Sequence, residues 1–379
     1  MITKRLVIVL MLAAILSLAA AVSAYMGNHR WRAQDLAGEA MLPGLAAKLN
    51  SIAQVEIRDK AGALILQREG SGWRLQNEDG YPADPARVNA LLIGLAELER
   101  LEAKTDRPER YGALGLDAPD KPEGEGGGTL VTLQGQDGSA LGSLIIGKLR
   151  AERLGDAVGI SGTYVRAPDE AQSWLVSGDL RAASELSRWV DTRMLGLTRD
   201  QIARATVTPA GQPPLTLSRV KGGDGQQSFT IENLPADLTL KSPSGAMLAA
   251  TDFAGLSFEA VRKMPAQPGV PASTVELTTT EGIVLRLLLT RERQANWVSI
   301  AQLAPGSNQE AAAALKKRIE GWQFRLSETA ARPFFVTLAA LTEKKEAPAA
   351  QPDGASPAAP MGDQEAPDED QTPGQPEAE

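Results

Sequence analysis

One succession of apolar runs occurs twice along the chain, and this constrains the fold more than any other feature. In the first pass, Val55–Ile57 and Leu64–Arg68 read as strands across a turn at Asp59–Gly62, with Gly72–Leu75, carrying Trp73, as a third. Tyr81-Pro-Ala-Asp84-Pro85 then opens a helix. Asp84 takes the N-cap and Pro85 the first helical position, where its missing N–H costs nothing. Val88, Leu91, Leu92, Leu95, Leu98 and Leu101 follow at helical spacing, which predicts a helix from Pro85 to Leu101 with one stripe that needs a sheet to cover it. Thr129–Leu133, Leu141–Ile146, Thr163–Arg166 and Ser173–Val176 read as further strands, separated by Asp137-Gly138 and other turn signals.

In the second pass, Ala205–Thr208, Leu215–Arg219 and Phe229–Ile231 repeat the opening strands. Thr251–Val261, with Phe253, Leu256 and Val261, stands where the first half has its helix. Thr274–Leu277 and Ile283–Leu289 flank a turn at Glu281-Gly282, as Thr129–Ile146 does earlier, and Asn296–Ala301 matches Thr163–Arg166. The offset drifts, so the similarity is architectural. Ser187–Leu197 joins the halves; a helix from about Gln309 to Glu320 and the apolar Pro333–Leu341, opened by its proline, follow. The expected fold class is α+β: two related lobes of mainly antiparallel sheet, each with a packed helix, at residues 51–200 and 201–345.

The ends read differently. Leu6–Met26 is an uncharged run behind Lys4 and Arg5, long enough as a helix for about 31 Å, close to the hydrocarbon thickness of a bilayer. Val22-Ser23-Ala24 resembles a signal-peptidase site, so residues 1–26 are either a retained transmembrane anchor or a cleaved signal segment; the length of the run favours the anchor. Lys4 and Arg5 put the N-terminus in the cytoplasm and the bulk of the chain outside it, in the periplasm of a cell whose inner membrane holds the single span. Residues 27–50 read as a juxtamembrane linker. Residues 346–379 carry nine acidic side chains, no basic one and seven prolines, the composition of a disordered, solvated tail. Residues 27–345 hold 37 basic and 38 acidic side chains, so this part is nearly neutral and nucleic acid is not an expected partner.

Cysteine is absent and His29 is the only histidine. No thiolate nucleophile, disulfide, iron–sulfur cluster or thiolate-bound zinc can form, and a Ser-His-Asp triad would need a histidine just beyond the apolar run. Gly124-Glu-Gly-Gly-Gly128 precedes a strand rather than a helix, the wrong order for a phosphate cradle, and Gly147-Lys148 lacks the following Ser or Thr of a P-loop. Glu97, Glu99 and Glu102 read as a solvated helix face, and Asp117 and Asp120 as turn residues. Trp73, Trp174, Trp189, Trp297 and Trp322 read as core anchors, with a sugar-stacking platform as the alternative. No catalytic, cofactor-binding or metal-binding residue is expected, and no cofactor.

Several stretches together resemble the family called domain of unknown function 4340: Leu42-Pro-Gly-Leu45 before the first strand, Gly72-Trp73, the Tyr81–Asn89 helix opening, Tyr111…Leu114-Gly-Leu-Asp-Ala-Pro119, Thr163-Tyr-Val-Arg166 and Trp189-Val-Asp191. The resemblance runs from about Met41 to Leu341 and is clearest in the first half. It implies a membrane-anchored envelope protein linked with gliding-motility-type ABC transport systems, and brings no established catalytic residue. The expected function is therefore a non-enzymatic accessory or scaffold subunit with protein partners in an ABC-type transport complex; the alternative is an extracytoplasmic glycan- or cell-wall-binding module.

Overall fold

The computed structural model describes residues 17, 38–120, 127–154, 157–221 and 227–345. Alternating apolar residues put one face of each strand inward, and the buried faces assemble into two antiparallel sheets. The first contains β1 (Ile52–Asp59), β2 (Gly62–Glu69), β3 (Gly72–Leu75), β4 (Tyr81–Pro82), β5 (Arg100–Ala103), β6 (Thr129–Gly135), β7 (Ala140–Leu154), β8 (Ala157–Arg166) and β9 (Ser173–Val176). Their order is β4-β3-β2-β1-β6-β7-β8-β9-β5. The second contains β10 (Ile202–Pro209), β11 (Leu215–Lys221), β12 (Gln227–Ile231), β14 (Ala260–Lys263), β15 (Ser273–Thr279), β16 (Val284–Glu292), β17 (Ala295–Ala304) and β18 (Trp322–Leu326), in the order β12-β11-β10-β15-β16-β17-β18-β14. Apart from β4 the two orders coincide, strand for strand in chain order. A small sheet pairs β13 (Leu238–Leu240) with β19 (Thr342–Lys344).

The repeat extends to side chains. Both β1 and β10 carry a register shift just after their first residue, Ile52 or Ile202. Beside it, Arg68 of β2 donates to the Ile52 and Leu49 carbonyls at 2.7 and 3.2 Å and lies 4.6 Å from the Trp73 ring. Arg219 of β11 donates to the Ile202 and Arg199 carbonyls, both at 2.8 Å, and lies 5.0 Å from the Phe229 ring. In each half one planar guanidinium supplies donors to carbonyls at the irregular start of a strand and covers an aromatic face.

Between the third strand and the edge strand of each sheet lies a helix, α1 (Pro85–Ala96) and α2 (Pro243–Thr251). Asp84 caps α1 by accepting from the Ala86 N–H at 2.9 Å, with Pro85 at the first turn as expected. The helix stops five residues short of Leu101. Glu97 ends it, and residues 98–100 instead pair with residues 38–41, so strand-like pairing with a distant segment overrides the leucine spacing. Leu98 is buried in the turn, and Leu101 falls on β5 with 45% of its surface exposed. The second helix also departs from expectation. It ends at Thr251 instead of starting there, and residues 252–261 form a 3-10 turn, a short connection and the start of β14. Ser242-Pro243 is the counterpart of Asp84-Pro85, with the Ser242 hydroxyl accepting from Gly245 N–H. Ala246, Ala249 and Ala250 on its buried face are too small to make a leucine-like stripe.

A third helix, α3 (Gln309–Ile319), matches its expected position and enters between β17 and β18, where the first half has only a short turn. Pro333–Leu341 is two helical turns rather than one helix; the first buries Phe334 edge-on against Phe253, with centroids 5.3 Å apart. Residues 38–50, the second part of the expected linker, pack into the fold, with Met41 and Leu45 buried. Leu6–Met26, apart from Ser17, and the acidic tail 346–379 lie outside the described residues. Among the described residues no helix is long and apolar enough to cross a membrane.

Candidate docking edge of the first sheet

The two halves meet where the first closes an edge of the second. At the end of the second sheet, the outward N–H groups of Val261 and Lys263 in β14 donate to Glu78 at 2.8 Å and Asp79 at 3.0 Å. Unpaired strand N–H groups are thereby satisfied by carboxylates from a tight corner after β3, where Asp79 takes a left-handed φ of 50°. Burial pushes the Glu78 carboxyl up, against the Val261 N–H and Arg325. Tyr81 follows the corner and sets its ring edge-on to Phe258, Trp322 and Phe324 at 5.9, 5.0 and 6.1 Å. Nearby, Arg318 of α3 pairs with Asp191 at 3.2 Å and donates to the Asp191 and Arg193 carbonyls, clamping the crossing segment.

The equivalent edge of the first sheet is β5. Residues 38–40 pair with its beginning, through Gly38 N–H to the Arg100 carbonyl at 2.7 Å and Arg100 N–H to the Glu39 carbonyl at 2.9 Å. Beyond Arg100, among the described residues, no strand lies along its outer side. Lys104 N–H points inward to Ser173, so alternation turns the Ala103 N–H outward. Beside it opens a cleft of about 550 Å³ between residues 102–105 on one wall and Arg110, Ala113 and Leu114 on the other.

The far wall is a helical corner that begins at Tyr111. The Tyr111 hydroxyl donates to the Ala171 carbonyl at 2.5 Å, and the Arg166 guanidinium stacks 4.5 Å from its ring while donating to the Ala167, Pro168 and Glu170 carbonyls. Burial raises the Tyr111 pKa, partly offset by Arg166, so the phenol stays a donor at neutral pH. Gly115 ends the corner at φ 72°, where an added Cβ would lie 3.2 Å from the Lys148 backbone nitrogen. Asp117 is buried and its carbonyl receives Gly128 N–H at 2.8 Å, which ties the corner to β6. On the near wall Glu102 pairs with Lys104 at 2.5 Å and Arg150 at 3.5 Å. With Arg110 opposite, the cleft presents more positive than negative charge.

The carboxylates singled out in the sequence do not converge. Glu97 and Glu99 are exposed after α1, Glu102 is ion-paired at the cleft, Asp117 is a buried corner residue and Asp120 is exposed. Among the described residues no group of three acidic or histidine side chains could hold a metal ion. Gly127-Gly128 lead directly into β6, Gly124–Gly126 lie outside the described residues, and Gly147-Lys148 sits in the middle of β7. Trp73, Trp174 and Trp189 are buried, Trp297 is covered by Arg262 at 3.9 Å and Trp322 packs on Tyr81. Trp73, Trp174, Trp189 and Trp322 belong to the core as expected, Trp297 is half-buried outside it beneath Arg262, and the five form no exposed platform. Lys104 and Arg110 were missed by sequence reasoning; only the structure puts them on facing walls.

Two antiparallel sheets of the same strand order, each with one helix inserted at the same place, define an α+β protein built on an internal topological repeat. The family model described as Domain of unknown function (DUF4340) matches residues 73–274, more than half of the chain, and the chain belongs to that family. The match runs from β3 to β15 and so includes α1, the Tyr111 corner and the crossing segment. No curated protein and no solved structure matches the chain significantly.

Proposed function

We propose that this chain is a non-enzymatic, single-pass protein of the inner membrane whose bulk lies in the periplasm, and that it serves as an accessory or scaffold subunit of an ABC-type transport or export assembly. Leu6–Met26 would set the height of two related lobes, residues 51–200 and 201–345, which act by protein contact. The observation that carries this reading is the asymmetry of the two edge strands. The β14 edge is closed by the chain's own carboxylates, whereas β5 presents an outward N–H at Ala103 beside a cationic cleft. An edge of this kind recruits another polypeptide by adding hydrogen bonds to the sheet.

The test pairs topology with an edge-blocking substitution. A reporter fused at the C-terminus and active only outside the cytoplasm should be active and remain with the membrane fraction; activity of a cytoplasm-only reporter overturns the orientation, and a soluble product beginning at Tyr25 overturns the anchor. Ala103→Pro removes the outward N–H and should abolish complementation of a deletion strain at unchanged melting temperature and abundance. Full complementation by this variant removes β5 as the contact surface. A stable, inactive Glu97→Gln variant would instead point to chemistry at an exposed carboxylate.

A further inference from the structure

We infer that the edge of β5 receives the corner after β12, residues 232–237, of a second copy of this chain, so that copies join head to tail. The inference rests on β5 being the contact edge and adds the identity of what covers it. Its template lies inside the molecule. The corner after β3 closes β14, and the corner after β12 is its counterpart in the repeat. Asp79 and Asn233 both turn the chain with a left-handed residue, at φ 50° and 54°. The receiving strands correspond as well. Ala103 of β5 stands opposite Trp174 and three residues after Arg100, and Val261 of β14 stands opposite Phe324 and three residues after Phe258, the residues where the flanking pairing ends in each half. The Val261 N–H is filled by Glu78 within the chain; the Ala103 N–H holds the same place in the first sheet.

The flanking pairing repeats too. Residues 192–194 pair with 256–258 ahead of β14, just as residues 38–41 pair with 98–100 ahead of β5. Half of the arrangement seen at β14 is thus already built at β5, and the missing half is a corner. Asn233, Pro235, Ala236 and Asp237 are exposed, as a donated corner must be. Charge agrees, since the exposed Asp237 would face Lys104 and Arg110, while Glu232 is held by Arg204 and Ser218 within its own half. Edge and corner are different surfaces, so the contact is heterologous and each added copy leaves one of each open.

The chain contains no cysteine, so introduced thiols report alone. Full-length protein in native membranes is treated with a short bismaleimide. Ala103→Cys combined with Pro235→Cys should give a ladder of dimers, trimers and longer products. Either substitution alone should leave monomer, and coexpressing the two single variants should give dimer without longer products. Adding Lys104→Glu should lower the cross-linked fraction at least tenfold, and adding Asp237→Lys to that protein should recover it. A double variant that stays monomeric overturns the inference, as does a single variant that dimerises, which means a symmetric contact. Cross-linking of Ala103→Cys to a different protein, without a ladder, also overturns the second copy as occupant. Loss of complementation in Ala103→Pro would then still support β5 as a contact edge, so the two readings fail separately.

Discussion

Arg68 and Arg219 perform the same task in the two halves, each joining two carbonyls at the start of a strand while stacking on an aromatic ring. A lysine keeps the charge but loses the fork and the flat face. Arg68→Lys and Arg219→Lys should each lower stability by about 1–3 kcal/mol in denaturant unfolding, to a similar degree. Asp191 allows a prediction about pH. Arg193 holds its carboxyl well below the ordinary value of 3.8, with Arg318 assisting and burial opposing. The folded value lies below the unfolded one, so the ionised form stabilises the fold above pH 3.8, and that contribution is lost as pH falls through the folded value. Melting temperatures measured downward from about pH 5 should therefore drop less steeply in Asp191→Asn than in the wild type, from a lower starting point. Parallel curves would show that the clamp does not depend on this charge.

At the scale of elements, the helices show how a short cap outranks a long stripe. Asp84-Pro85 and Ser242-Pro243 mark both helix starts. Asp84→Ala and Ser242→Ala should each cost about 0.5–2 kcal/mol, seen as a shifted urea midpoint at constant slope. Inside α1, Leu95 is fully buried, and Leu95→Ala should cost about 2–5 kcal/mol, while the exposed Glu97→Gln stays within about 0.5 kcal/mol of wild type. The leucine spacing located α1 but ran past its end, because nothing local in 97–101 announces pairing with residues 38–41. In the second half helical spacing points to Phe253, Leu256 and Val261, which are buried from a 3-10 turn, the residue that caps it and a strand. A helix packed through alanines is nearly silent in hydrophobic periodicity, and the Ser-Pro cap was the signal that could have found it.

Across the whole molecule, one contiguous apolar core includes residues from both sheets, and Tyr81 is the first half's main insertion into the second. Unfolding should accordingly follow a single transition by circular dichroism and tryptophan fluorescence alike. Tyr81→Ala removes a ring that touches three others and should cost about 3–5 kcal/mol. It should also separate the two probes' transitions, since the cap on β14 would lose its anchor. Coincident transitions in this variant would mean that the Glu78 and Asp79 contacts alone couple the halves.

The sequence by itself determined the α+β class, most strands, the cap of α1, the recurrence of one pattern along the chain and the membership in a family. Those features are local: alternation, helical spacing, turn residues and motif wording are all read within a dozen residues. The tertiary structure decided the rest. β5 and β14 are short and weakly patterned, and they become strands because β9 and β18 offer them backbone partners. Lys104 and Arg110 become one cleft only when the Tyr111 corner folds back on β6 and β7. Which edge is closed and which stays open depends on residues far apart in the chain: Glu78 and Asp79 reach β14 across more than half the length of the protein's described fold, a pairing that no local periodicity encodes.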